Sequence, residues 1–336
     1  MRSPTWSSSS TQTRGESAGQ AESPAGGAHP ETRGVTRIRN GGRLDGGRGS
    51  LVDSSISGRD EMKRLGIISG KGELPRLLAG EARRRGYHVV MIALDPIADP
   101  MDGCADEVKR VNVAKLGEII AALKSSGVQE AVMAGKVSKS LIYEGKLIPD
   151  MRAVKLLFTL KDRKDDTILQ AITDEIESEG IRVMRTTEFA ADMLMPAGLL
   201  TRRRLTPDEE KDVSFGLRIA KEIGRVDIGQ TVVVKGRAVM AVEAIEGTDE
   251  AIRRGGRLAG AGAVVVKVSK PQQDMRYDVP VVGLDTLRAL VEVKASVLAV
   301  EAGKALILQR RDVVSEADEA GVSIIGVEVD RTHVRD

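Results

Sequence analysis

Residues 243–252 read EAIEGTDEAI, with the carboxylates of Glu243, Glu246, Asp249 and Glu250 set around Gly247 and Thr248. The stretch follows an apolar run, TVVVKGRAVMAV, at 231–242. Acids in a glycine turn after a strand have three uses. They hold a hard metal ion, hold a phosphate through that ion, or cap the next helix. On the capping reading, Thr248 and Asp249 start a helix near Glu250, and Glu243 is an exposed strand residue. A second stretch, AVVVKVSKPQQDMRYDVPVVG at 263–283, places Lys267 inside a buried apolar strand. Such a lysine is costly unless its head reaches a site or snorkels to water. The strand runs through Lys270 and Pro271 into a polar loop that ends at Asp278 and Pro280.

Two glycine loops come earlier, SGKGELP at 69–75 and AGKVSK at 134–139. Each follows a short apolar run. Glycine there lets a ligand approach the backbone, and a following helix N-terminus favours an anion. The G-x-G spacing is a weak signal, because the third glycine of the dinucleotide fingerprint is missing and no GKS or GKT marks a Walker loop. Asp95, at the end of the second strand, stands where an acid binds a ribose in dinucleotide folds. The bland alternative is that these glycines only make tight turns.

Composition narrows the chemistry. In 336 residues there are 51 Lys+Arg against 49 Asp+Glu, a formal charge of +2, and aromatics are 2%. Neither a basic footprint nor a stacking platform is present, which argues against a nucleic-acid partner. The single cysteine, Cys104, excludes an intrachain disulfide and fits a reducing compartment. One cysteine and three histidines argue against zinc. Any metal is then a hard, carboxylate-bound ion, Mg²⁺ first. No apolar run approaches the roughly 18–20 residues of a membrane span, and no secretory signal opens the chain.

The elements that position these residues are legible in outline. Residues 1–61 are rich in Ser, Gly and Pro and have almost no apolar periodicity, so they read as a disordered leader. Eight arginines resemble a transit peptide, but seven acids argue against one, and MKRLGIISGKGELP at Met62 reads as a natural start. From 64 to 135 the order is strand, glycine turn, helix, strand, repeated, which predicts a parallel sheet wound with helices. The fold class is therefore α/β with two domains. These are a Rossmann-like parallel-sheet domain over 62–195 and a mixed α/β domain over 196–330. A helix is expected from Asp165 or Asp166, with Ile168, Leu169, Ile172 and Ile176 on its apolar face. Lys161, Arg163 and Lys164 before it either meet a phosphate or are solvated. Thr206, Pro207 and Glu209 predict a capping box and a helix to Gly224. A hairpin follows, turned at Gly236, then a helix over 250–260, and over 284–327 helix, strand, strand, helix, strand.

GIISGKGELP, AGKVSK, RKDDTIL, DIGQTVVVKGRAVMAVEAIEGTDEAI and VVVKVSKPQQDMRYDVPVVG occur in one order over about 63–328. Together they resemble the LpxI-type UDP-2,3-diacylglucosamine pyrophosphatases of lipid A synthesis. The resemblance implies hydrolysis of the pyrophosphate by attack on the UMP-side phosphorus. UMP and 2,3-diacylglucosamine 1-phosphate (lipid X) are the products. It also implies a divalent cation, typically Mg²⁺, and substrate held between two domains joined by a flexible linker. The family's key acid lies in an R-x-D-x-P element, here Arg276 to Pro280, which puts it on Asp278. Lys71 departs from the more glycine-rich GGGxLP of the family, and the leader has no counterpart.

On this resemblance Asp278 and Lys270 are the catalytic candidates. Asp278, Glu243 and Glu246 are the metal-ligand candidates. Thr248, Asp249 and Lys267, with Gln230 and Gln273, are assigned to phosphate or sugar, and Asp165 joins them from RKDDTIL. Gly70, Gly72, Gly135 and Lys136 receive the nucleotide. The implied partner is the lipid substrate at a membrane surface, at the inner face of the cytoplasmic membrane. The basic run TRRRL at 201–205 is either a headgroup contact or a solvated linker. A homodimer is the assembly entertained. Two other readings stay open: a nucleotide-sugar binding or sensing module without turnover, and a dinucleotide-dependent oxidoreductase.

Overall fold

The computed structural model describes residues 62–137, 148–161 and 165–329, without the side chains of 165 and 166. The leader 1–61, Arg163 and Lys164, and residues 138–139 of the second glycine loop lie outside the described residues.

The N-terminal half is a five-stranded sheet, all parallel, in the order β3-β2-β1-β4-β5. Its strands are β1 (Arg64–Ser69), β2 (His88–Asp95), β3 (Glu107–Asn112), β4 (Glu130–Ala134) and β5 (Arg182–Val183). Alternation along the central strands sends side chains to two cores. Leu65, Ile67, Val89 and Met91 meet Leu74, Leu78 and Ala82 of α1 (Leu74–Arg84) on one face. Ile68, Val90 and Ile92 meet Ile119, Ile120 and Leu123 of α2 (Leu116–Ser125) on the other. Of two further helices, α3 (Met151–Thr159) packs against α2, and α4 (Asp165–Ser178) packs against α3 and β5. The strand order reverses between β1 and β4, so the loops that leave these two strands diverge at a switch point, where open α/β sheets take ligands.

A short strand, β6 (Gly198–Leu199), opens the C-terminal half, followed by α5 (Pro207–Arg225). Its sheet is mixed, in the order β6-β13-β11-β9-β7-β8. The hairpin β7 (Thr231–Lys235) and β8 (Ala238–Val242) runs antiparallel, and β7 pairs antiparallel with β9 (Val264–Lys267). Parallel pairing continues through β11 (Val297–Glu301) and β13 (Ser323–Val327). Between them come α6 (Thr248–Ala259), α7 (Leu284–Glu292) and α8 (Arg310–Ala320). A separate parallel pair joins β10 (Val281–Val282) to β12 (Leu306–Ile307). Helix α6 lies close to its sheet because Gly255 faces it: a Cβ there would stand 2.6 Å from the Val233 side chain.

The two halves are not connected by a loose tether. Met195 N–H donates to Ala305 O at 2.8 Å, and Gly303 N–H donates to Met195 O at 2.8 Å. Leu306 and Leu308 of the C-terminal half are buried in the same cluster as Leu65, Leu78 and Met91. The linker expected to be flexible is therefore tied by backbone bonds, and one hydrophobic cluster spans both halves.

Candidate functional site

The two glycine loops meet at the switch point, and they meet each other. Lys71 N–H donates to Lys136 O at 2.9 Å, and Lys136 N–H donates to Lys71 O at 2.8 Å. A Cβ on Gly70 would sit 2.6 Å from Lys136 O, and one on Gly135 would sit 2.7 Å from Gly70 C. Gly135 also has φ +91, a left-handed conformation that glycine takes without strain. The approach of the two loop backbones alone requires these glycines. Gly72 N–H is committed as well, donating to Asp99 Oδ2 at 2.7 Å. Asp95, the ribose candidate, is ion-paired with Arg110 on the neighbouring edge strand.

Lys136 leaves this junction and reaches the C-terminal half, with its Nζ 4.0 Å from Asp249 Oδ2 in the first turn of α6. The acidic turn is arranged as follows. Gly247 occupies the N-cap at φ +84, and no side chain caps the helix. The helix thus begins at Thr248, two residues before the sequence expectation, and Thr248 does not act as its cap. Its hydroxyl instead donates to Glu243 Oε1 at 2.9 Å and accepts from Lys267 Nζ at 2.8 Å. Lys267 Nζ also donates to Val281 O at 2.9 Å. Lys267 is 4% exposed, so it does not snorkel. Burial lowers its pKa; Glu243 opposes this, Lys136 adds to it, and Asp249 and Asp278 oppose it more weakly. Thr286 Oγ1 donates to Asp249 Oδ1 at 3.2 Å. Glu243 is buried rather than exposed, and receives the Gln230 N–H at 3.4 Å. Gln230 Oε1 is buried without a hydrogen-bond partner among the described residues.

Asp278 stands on the loop after β9. Its Oδ2 accepts from Gln273 Nε2 and lies 3.9 Å from Lys270 Nζ. Gln273 Oε1 accepts the Lys270 N–H at 2.7 Å, so one amide positions both catalytic candidates. Lys270 is buried and donates to Asp227 Oδ1 at 2.6 Å. The loop is also held to the N-terminal half. Thr186 N–H donates to Met275 O at 3.1 Å, and Arg276 Nη2 and Tyr277 Oη both donate to Gln170 Oε1 of α4. Burial raises the pKa of Asp274, but its bonds from Arg276 outweigh that and hold it below the ordinary value.

The three proposed metal ligands do not form one set. Glu246 turns away to pair with Arg254, whose guanidinium overcomes the effect of burial and holds the carboxyl below its ordinary range. Glu243 is engaged by Thr248 and the Gln230 N–H. Among the described residues no three of His, Cys, Asp and Glu are grouped to hold a metal. The chemistry of the donors fits a cation in one mode only, in which a protein carboxylate such as Asp278 is supplemented by phosphate oxygens and waters. Asp165 begins α4, and its side chain lies outside the described residues.

Several supporting residues carry no motif. Asp227, at φ +58, receives Lys270. Beneath the loop, Lys221 Nζ donates to Glu301 Oε2 at 2.5 Å and to Ser269 O at 2.8 Å, and Ser269 N–H donates to Glu301 Oε2. Burial works to raise the Glu301 carboxyl, but Lys221 and Lys304 hold it low. The only sequence signal for these residues was a lone acid or lysine in an apolar neighbourhood. Of the TRRRL run, Arg203 is bonded to Ser323 and Glu209 and belongs to the fold.

The LpxI N-terminal domain family matches residues 64–193, and the LpxI C-terminal domain family matches 196–325. The UDP-2,3-diacylglucosamine pyrophosphatase LpxI of Caulobacter vibrioides is 34% identical over 281 residues, covering 80% of this chain and 98% of its own. Among solved structures, CobK precorrin-6A reductase aligns over 80% of this chain and 91% of its own, at 11% identity and a TM-score of 0.32. Two adjoining domain families and a relative matched almost end to end lead to one conclusion: the chain belongs to the LpxI family.

Proposed function

We propose that the protein hydrolyses the pyrophosphate bond of UDP-2,3-diacylglucosamine to UMP and 2,3-diacylglucosamine 1-phosphate, with Mg²⁺ as cofactor, at a bilayer surface. The observation that carries this reading is the placement of Asp278. It is oriented by Gln273, lies 3.9 Å from the Lys270 ammonium, and sits on a loop bound to both halves of the molecule. Pyrophosphate cleavage requires neutralised phosphate charge, a positioned water and a stabilised leaving phosphate. Lys136 and Lys270 supply positive charge from the two halves, and the first turn of α6 adds backbone N–H groups. Gln230 Oε1, buried without a hydrogen-bond partner among the described residues, suits a sugar hydroxyl. Asp278 orients the attacking water or accepts its proton. A bound divalent cation would polarise phosphate oxygens and the water, held by Asp278 together with the substrate's own oxygens.

The experiment incubates the protein with UDP-2,3-diacylglucosamine, with Mg²⁺ or with a chelator, and follows UMP and lipid X by mass spectrometry. Asp278→Asn keeps the size and the Gln273 neighbour but removes the charge. It is expected to lower kcat by about 10²-fold or more. If the parent protein releases no more UMP than this variant, the hydrolase reading fails. Equal turnover in chelator would remove the cation alone.

A further inference from the structure

Helix α3 presents an apolar face that packs on nothing among the described residues. Met151 is 70% exposed and Phe158 is 86% exposed, and Ile148, just before the helix, is 76% exposed. Met151, Lys155 and Phe158 are spaced i, i+4 and i+7, so they form one stripe. Lys155 and, just beyond the helix, Lys161 are both exposed.

The helix is held in this orientation by its other contacts. Asp150 caps it, accepting from Ala153 N–H at 2.8 Å, and also accepts from Gly117 N–H at the start of α2 at 2.7 Å. Arg152 pairs with Glu175 and Glu179 of α4, and Ala153 and Leu156 pack toward the α2 core. The apolar stripe is therefore displayed by a fixed platform. Among the described residues no helix is long and apolar enough to cross a membrane. An outward apolar stripe interrupted and followed by lysines suits a helix lying on an anionic bilayer, with its apolar side chains among the acyl chains and its ammonium groups at the headgroups. Fourteen residues lie between Lys136 of the candidate site and Met151 at the start of α3.

We propose that α3 is the face by which the protein docks on an anionic bilayer; the purpose of this docking rests on the function proposed above. The test uses the full chain, its Met151→Asp/Phe158→Asp double variant, and Leu258→Asp, the same change on an exposed leucine of α6. Each is sedimented with vesicles containing phosphatidylglycerol and with vesicles of phosphatidylcholine alone. The double variant is expected to lose about tenfold or more in binding to the anionic vesicles, while Leu258→Asp binds as the parent does. Lys155→Glu is expected to lose about fivefold on anionic vesicles and little on neutral ones. Hydrolysis of vesicle-embedded substrate falls with binding, while detergent-dispersed substrate is cleaved at the parental rate. Unchanged vesicle binding by the double variant overturns the proposal. So does a change confined to the sedimenting mass, from dimer to monomer, which would make the face a contact between copies. If the parent does not cleave detergent-dispersed substrate, the hydrolase reading fails, while vesicle binding still reports on α3.

Discussion

Lys267 carries the sharpest choice at the residue scale, because binding and structural roles predict different stabilities. Its ammonium is buried, and its bonds go to the Thr248 hydroxyl and the Val281 carbonyl, with Glu243 one hydrogen bond further on. Removing the positive charge leaves the buried Glu243 carboxylate without compensation, the costly way to break such an arrangement. Lys267→Met is therefore expected to destabilise the protein by about 3 kcal/mol in urea unfolding, and Lys267→Met/Glu243→Gln by clearly less. If Lys267 only held a phosphate, the single variant would lose activity at unchanged stability. Such roles were partly legible. That a lysine in AVVVKV must be satisfied follows from burial cost, and Asp278 stood out through its sequence neighbours. That Thr248 joins Lys267 to Glu243, or that Asp227 receives Lys270 from 43 residues away, depends on how strands and loops come together. No local spacing encodes that. The same holds for Glu243, Glu246 and Asp278, named together as ligands from the resemblance: in the structure Glu246 pairs with Arg254 and Glu243 accepts from Thr248.

At the element scale, the start of α5 shows what local chemistry can specify. Thr206 Oγ1 accepts the Glu209 N–H at 3.3 Å and Glu209 Oε2 accepts the Thr206 N–H at 2.8 Å, the reciprocal pair its sequence predicts. Arg203 adds an ion pair to Glu209 at 2.7 Å. Burial raises the Glu209 pKa, but the Arg203, Ser296 and backbone bonds prevail and bring it down from 4.5 to about 2. A depressed carboxyl favours the folded state above its unfolded pKa and loses that contribution as pH falls through the folded one. Glu209→Gln is thus expected to cost about 1–3 kcal/mol at pH 7. The gap to the parent should narrow from pH 4.5 down to about 2. A gap independent of pH across that range would leave only the amide's altered hydrogen bonding. The capping box of α5 and the strands with continuous apolar runs were read correctly because their signals are local. Strand β3 gave no such signal: it is an edge strand bearing Glu107, Lys109 and Arg110, and the pairing with β2 makes it a strand. Helix α3 was missed because Met151, Leu157 and Phe158 face outward and only Ala153 and Leu156 pack toward a core, so its pattern showed no buried face.

The whole molecule differs from two domains on a flexible linker in a way that can be measured. Leu306, in β12 of the C-terminal half, is fully buried in the cluster that contains β1, β2 and α1 of the N-terminal half, while β12 itself pairs with β10, which follows Asp278. One side chain thus reports on both sheets and on the loop that carries Asp278. Leu306→Ala should cost about 2–5 kcal/mol, the range for a buried leucine truncated to a cavity. The loss should not be confined to its own half. In hydrogen exchange, amides of β1 and β2 should lose protection together with those near β10 and β12, because a shared core couples the opening of the segments it joins. Ile252→Ala, in the cluster that apart from Met195 is built from the C-terminal half, is the matched control. It should lower protection around α6 and β7 and leave β1 and β2 at parental values. If Leu306→Ala behaves like Ile252→Ala, with β1 and β2 unaffected, the halves open independently and the shared cluster does not couple them. If protection falls in both, closure of the two halves and orientation of Asp278 depend on the same buried contact. Turnover of the Leu306→Ala protein should then drop more than its folded fraction accounts for.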